Sequence, residues 1–207
     1  HKRCGMIRPL LWLPLAALSL SPALSQEASL ETQARALHAL AGGAYCERME
    51  GGYVPEDEYL EWTLSYQPSW GAEGEEEEVT LIRIFCGAGA YNVQHAYYIY
   101  RDYEGLTPLP FAEPSFETRY AEEDDIDSAL ESVTLTGMSA SLILVNSEFD
   151  PDTMTITSYS LWRGIGDASS SGVWTFRDGA FSLVSYAVDA SYDGEVNPET
   201  LVDYGAP

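Results

Sequence analysis

The sequence predicts a mainly β protein: an antiparallel sheet sandwich or open barrel, with one N-terminal helix after a signal peptide. Three observations carry that prediction. First, Asp178-Gly179 is a pair suited to the two positive φ angles of a type I′ hairpin turn. A two-residue loop there sets Arg177 opposite Ala180, Phe176 opposite Phe181 and Trp174 opposite Leu183. Opposed residues share a sheet face, so Trp174, Phe176, Phe181 and Leu183 form one apolar patch. Second, short β-branched and aromatic runs recur along the chain, separated by turn residues. Third, an apolar leader opens the chain, and only Cys46 and Cys86 remain as cysteines beyond it.

Met6 reads as the translation start, with residues 1–5 upstream of it. Arg8 is the positive n-region, Leu10 to Leu20 the apolar h-region and Ala23-Leu24-Ser25 the small-residue cleavage site. The apolar run is short and broken by proline, which argues against a membrane span or a stable membrane anchor. Residues 1–25 are therefore expected to leave as a signal peptide, and 26–207 to form a single β-rich domain in the periplasm or outside the cell. Cys4 precedes the h-region and does not fit a lipidated cysteine. An oxidising compartment favours joining Cys46 to Cys86. In the chain-entropy model, closing that loop stabilises the fold by roughly 3–4 kcal/mol. Neither cysteine has a second Cys or a His at ligand spacing, as a metal site requires.

Along the remaining chain, Ser29 caps a predicted helix from Leu30 to Ala41, with Leu30, Ala34, Leu37 and Ala41 on one stripe and Gly42-Gly43 ending it. His38 lies beside that stripe as a packing or surface residue. A strand follows over Tyr59 to Tyr66, with Trp62 and Leu64 on one face and Leu60 on the other. Pro68 to Glu78 is a loop ending in four glutamates, a solvated tip. Val79 to Cys86 is almost continuously apolar and reads as a central strand. Tyr91 to Tyr100 alternates Tyr91, Val93, His95, Tyr97 and Ile99 against the other face. Leu106 to Pro114 crosses between sheet regions, Ser132 to Val145 forms the next strand, and the acidic tail from Asp189 reads as irregular.

Within the central stretch, Met154, Ile156 and Trp162 alternate with Thr155, Thr157, Tyr159 and Leu161. Arg163-Gly164-Ile165-Gly166-Asp167 follows, where two glycines permit an unusual backbone and Arg163 can pair with Asp167 across the turn. Such a pair either locks the turn or binds an anion or polar ligand. The run from Asn146 through Phe149-Asp150-Pro151 to Trp162-Arg163-Gly164-Ile165-Gly166-Asp167 resembles the domain-of-unknown-function family 1176 of bacterial exported proteins. Gly172 to Phe176, Phe181 to Val184, and Cys86-Gly87-Ala88-Gly89-Ala90-Tyr91-Asn92 are similar to further parts of it, over roughly Val79 to Gly194. The resemblance implies an exported, β-rich protein and assigns no activity. Where the family carries two further cysteines, this chain holds Ala168 and Tyr192, which implies a lost disulfide. The family's Trp-Pro ending is not evident in Asn197 to Thr200.

The formal charge is −23, from 33 acidic and ten basic residues, and removal of Lys2, Arg3 and Arg8 makes it three units more negative. Such a chain repels phosphate backbones and anionic lipids, so nucleic acid and membrane surfaces are excluded as partners. The attractive partners are basic: a cationic protein or envelope component, polyamines, divalent cations. Glu122 to Asp127 is acidic but lacks the central Gly and terminal Glu of an EF-hand, so no metal or cofactor is expected. No Gly-x-Ser-x-Gly nucleophile elbow occurs. His95 among tyrosines is either a packed residue or, with Tyr91 and Tyr97, the wall of a groove for sugars or peptides. The leading expectation is a monomeric non-catalytic binding protein. The alternatives are an inhibitor of a basic hydrolase such as lysozyme, or an envelope glycan- or ester-acting hydrolase using His95 or Asp150, Asp152 and Asp167.

Overall fold

The computed structural model describes residues 28–42, 46, 54–123 and 125–205. The predicted signal peptide lies outside the described residues. Helix α1 spans Leu30–Ala41, and Ser29 caps it by accepting from the Thr32 amide at 3.3 Å. Strands β1 (Tyr59–Tyr66), β2 (Glu77–Ala88), β3 (Val93–Arg101) and β4 (Gly105–Pro108) pair in sequence as an antiparallel meander. A long hairpin follows, β5 (Phe111–Tyr120) and β6 (Leu130–Ser141), and forms a sheet of its own. Strand β7 (Ile143–Val145) returns to pair with β3. Strands β8 (Glu148–Asp150), β9 (Thr155–Leu161), β10 (Ser169–Arg177), β11 (Ala180–Asp189) and β12 (Glu199–Asp203) make the second five-stranded sheet.

The two large sheets face each other. Leu64, Leu81, Tyr97 and Ile99 from the first pack against Ile156, Trp174, Phe176 and Leu183 from the second in one continuous core. The opposite face of the first sheet, through Ile82, Ile84, Ala96 and Tyr98, receives Ala34 of α1. This is why β2 reads as an unbroken apolar run: both its faces are covered, one by a sheet and one by a helix. The fold is thus a helix-covered antiparallel sandwich, and the described strands close no barrel.

The Asp-Gly turn forms as the sequence predicts. Asp178 and Gly179 have φ of 47° and 80°, and the register sets Trp174 opposite Leu183 and Phe176 opposite Phe181. A bulge between Val173 and Trp174 interrupts the pairing. The tip of this hairpin is tied to the first sheet: the Ser69 amide donates to Asp178 Oδ1 at 2.8 Å, and Arg101 donates to the Gly179 carbonyl.

Four expectations are corrected. Leu60 lies opposite Arg83, and Trp62 opposite Leu81, so the period of two puts Leu60 on the same face as Trp62 and Leu64. Leu106 to Pro114 is no bare crossing: it holds β4 and the start of β5, where Pro114 is tolerated in a ribbon of only two strands. Ser132 to Val145 divides at Leu142 into β6 and β7, which belong to different sheets. The acidic tail contains β12, whose Val202 is buried in the core and pairs with Tyr186. Its polar neighbours mask that strand because β12 lies at the edge of its sheet.

Candidate functional site

The glycine-rich turn between β9 and β10 places Arg163 against Asp167. Arg163 Nε donates to Asp167 Oδ1 at 2.6 Å, and a second guanidinium nitrogen donates to Oδ2 and, at 2.7 Å, to the Tyr192 carbonyl. The Gly194 amide also donates to Asp167 Oδ2, at 2.8 Å. Gly166 supplies the positive φ (77°) that brings the chain back within the span of one bidentate pair. The guanidinium lies 5.2 Å from the centre of the Tyr192 ring. Asp167 is 1 % exposed, and its bonds to Arg163 hold its carboxyl well below the usual range. A methyl group at Gly164 would meet the Tyr91 ring at 3.6 Å, and Trp174 lies in the core. The cluster ties the β9–β10 turn to the segment after β11, and the Asp167 carboxylate already accepts from three nitrogens.

Beside it, a cleft of about 410 Å³ is lined by Asp127, Asp189, Asp193 and Glu199. Asp189 is spoken for by the Ser191 amide and hydroxyl and by the Asn197 amide. The cleft therefore presents negative potential to solvent rather than a preformed ligand set. Among the described residues no group of three or more His, Cys, Asp or Glu stands close enough to hold a metal ion.

His95 lies near the start of β3, against the segment between β7 and β8. It is 7 % exposed and its Nδ1 lies 3.0 Å from Ser147 Oγ, which also accepts from the Tyr97 hydroxyl at 3.0 Å. Burial, and next the nearby Arg83 cation, lower the His95 pKa to about 4, against the opposing pull of Asp57. Arg83 itself is 5 % exposed; it donates to the Ser147 carbonyl at 3.0 Å and to Asp57 Oδ2 at 2.5 Å. Its Nε is buried without a partner among the described residues. These residues line a recess of about 260 Å³. Sequence reading missed Arg83, Ser147 and Asp57; the signal was a lone arginine in the apolar run of β2.

Of the three groove candidates, His95 and Tyr97 meet at Ser147 while Tyr91 lies apart. Tyr97 is 1 % exposed, its ring edge-on to Phe111 in the core. Tyr91 precedes β3, stands 43 % exposed and leans its hydroxyl towards the Trp162 carbonyl at 3.4 Å. Asp150 caps its own turn, accepting from the Asp152 amide and the Thr153 hydroxyl. Asp167 is locked to Arg163, so these carboxylates form no acid–base pair around an open site. His38 bonds Tyr98 through Nδ1 at 2.9 Å, in keeping with a packing role.

Cys46 and Cys86 are joined by a disulfide that fastens the segment after α1 to the end of β2. No helix among the described residues is long and apolar enough to cross a membrane. No curated protein and no solved structure matches the chain. A family model does match, over residues 65–197, the stretch that runs from the end of β1 through the Arg163–Asp167 turn to the segment before β12. The chain therefore belongs to the family described as "Protein of unknown function (DUF1176)".

Proposed function

We propose that this chain is an exported, monomeric, non-catalytic binding protein whose partner is a basic protein or a cationic component of the cell envelope. The observation that carries the reading is charge: 33 acids against ten bases, with an acid-lined cleft beside the family's glycine-rich turn. A field of that sign raises the encounter rate with cationic partners and repels nucleic acid and anionic lipid. The leader-like first 25 residues and the disulfide support periplasmic or secreted placement. A basic hydrolase such as lysozyme is the natural probe. Titration of lysozyme at low salt is expected to give saturable binding that weakens steeply as salt rises. An absence of binding to any cationic protein at low salt overturns the reading.

A hydrolase acting on glycans or esters is the second reading, and one contact favours it: His95 Nδ1 to Ser147 Oγ at 3.0 Å. Against it, Ser147 is 1 % exposed, and Asp57 bonds Arg83 rather than the imidazole. Ester or glycan turnover abolished by Ser147→Ala in a protein of unchanged fold would replace the binding reading with this one.

A further inference from the structure

Strand β6 is a sheet edge left open. Among the described residues it pairs only with β5, so one whole side of its backbone is without a strand. Such edges are usually protected by charged side chains, proline or a covering element. Here residues 132–142 read Ser-Val-Thr-Leu-Thr-Gly-Met-Ser-Ala-Ser-Leu, without one charge or proline in a chain of net charge −23. Leu135 and Met138 stand 45 % and 47 % exposed on it. The ribbon is nonetheless rigidly placed. Phe111 of β5 is fully buried beside Trp174, Phe116 stacks on Trp162 at 6.1 Å, and the Tyr120 hydroxyl donates to the Ala190 carbonyl at 2.9 Å. An edge held in this way offers its backbone groups in register to an incoming strand.

The surroundings state what strand fits. At the N-terminal end of β6 the ribbon's tip holds an open hollow of about 680 Å³, lined by Glu122, Glu123, the exposed Ile126 and Glu131, the last paired with Arg119 at 2.7 Å. One end of the open edge is therefore negative, through Glu122 and Glu123, and the rest is neutral.

We propose that β6 docks an extended segment of the cationic partner by strand addition. The segment is uncharged and β-prone where it runs along residues 132–142, and it carries Lys or Arg where it reaches the Glu122–Glu123 tip. Antiparallel pairing, the more stable arrangement, puts those basic residues on the C-terminal side of the segment. A second copy of this chain does not fit: antiparallel pairing sets the C-terminal side of its β6 against the Glu122–Glu123 tip, and no Lys or Arg occurs between Ser132 and Trp162. This inference deepens the binding function proposed above and rests on it.

The test uses the full chain and synthetic peptides of alternating Thr and Val, read by calorimetry and by amide hydrogen exchange. A peptide ending in lysines is expected to bind and to slow exchange of the outward β6 amides about tenfold or more. The same peptide with its lysines moved to the N-terminus, which removes the ion pairs, or with alternate amides N-methylated, which removes backbone hydrogen bonds, is expected to bind about tenfold more weakly. Equal affinity for the methylated peptide, or protection that falls elsewhere than β6, overturns strand addition. Slow exchange of β6 before peptide is added also overturns it, since the edge is then already filled by a second copy or by another part of this chain. Lysozyme binding that persists after such a negative result leaves the cationic-partner function standing; loss of lysozyme binding as well removes both.

Discussion

Arg163 Nε donates to Asp167 Oδ1 at 2.6 Å, closing the glycine-rich turn that the family match spans. The carboxylate also accepts from the Gly194 amide, so one buried acid joins two segments of chain. Because Asp167 is held charged in the folded state, its contribution to stability is complete above its unfolded value near 3.8 and is lost as pH falls through the depressed folded value. Asp167→Asn is expected to lower the Tm at neutral pH. The gap from wild type should stay constant from pH 7 to about 5 and close below about 4. A gap that widens in acid would show that the pair is not what Asp167 contributes.

His95 has the opposite history. Neutral and buried, it resists protonation until pH falls to about 4, whereas in the unfolded chain it takes a proton near 6.5. Above pH 6.5 it is neutral in both states and contributes no slope. Between pH 6.5 and 4 the unfolded state gains the proton first, and stability should fall by about 2–3 kcal/mol. Urea denaturation of wild type and His95→Gln across that range should show the slope reduced in the variant by this amount.

Trp174 has no exposed surface, and its Nε1 donates to the Ala112 carbonyl at 2.9 Å, so one side chain fills the core and fastens the β5–β6 ribbon to it. Trp174→Ala should cost about 3–5 kcal/mol in urea denaturation. Trp174→Phe keeps most of the volume but leaves the carbonyl without its donor, and should cost about 1–3 kcal/mol.

Gly172 lies under the same indole. A methyl group there would stand 2.8 Å from Trp174 Cζ3, two residues along the same strand and buried in the core. Gly172→Ala should therefore destabilise by about 1–3 kcal/mol, an overpacking cost. Combined with Trp174→Phe, which shrinks the obstructing ring, the two losses should be less than additive.

The Cys46–Cys86 bridge closes a separation of 40 residues and holds the end of α1's segment to β2. Removing it by Cys46→Ser with Cys86→Ser, or by reductant, should cost roughly 3–4 kcal/mol and lower the Tm without changing the sheet signal in circular dichroism.

Local chemistry was the legible part. Two positive φ angles demanded a pair such as Asp178-Gly179, so the β10–β11 register followed from two residues and a period of two. Ser29 and the Leu30–Ala41 stripe marked α1 to the residue for the same reason: capping and periodicity act within one or two turns. Arg163 and Asp167, four apart on a glycine turn, were also within local reach.

What the sequence alone determined is thus the set of strands with strong alternation, the tight turn, the charge and the pair of cysteines available to each other. Tertiary structure decided the rest. It sent β6 and β7 to different sheets, gave β12 a partner in β11, and gathered Arg83, His95, Tyr97 and Ser147 into one buried network. Those residues are up to 64 positions apart. Their meeting depends on how two sheets pack, and a side chain's neighbours across a sandwich leave no periodic trace in the strand that carries it.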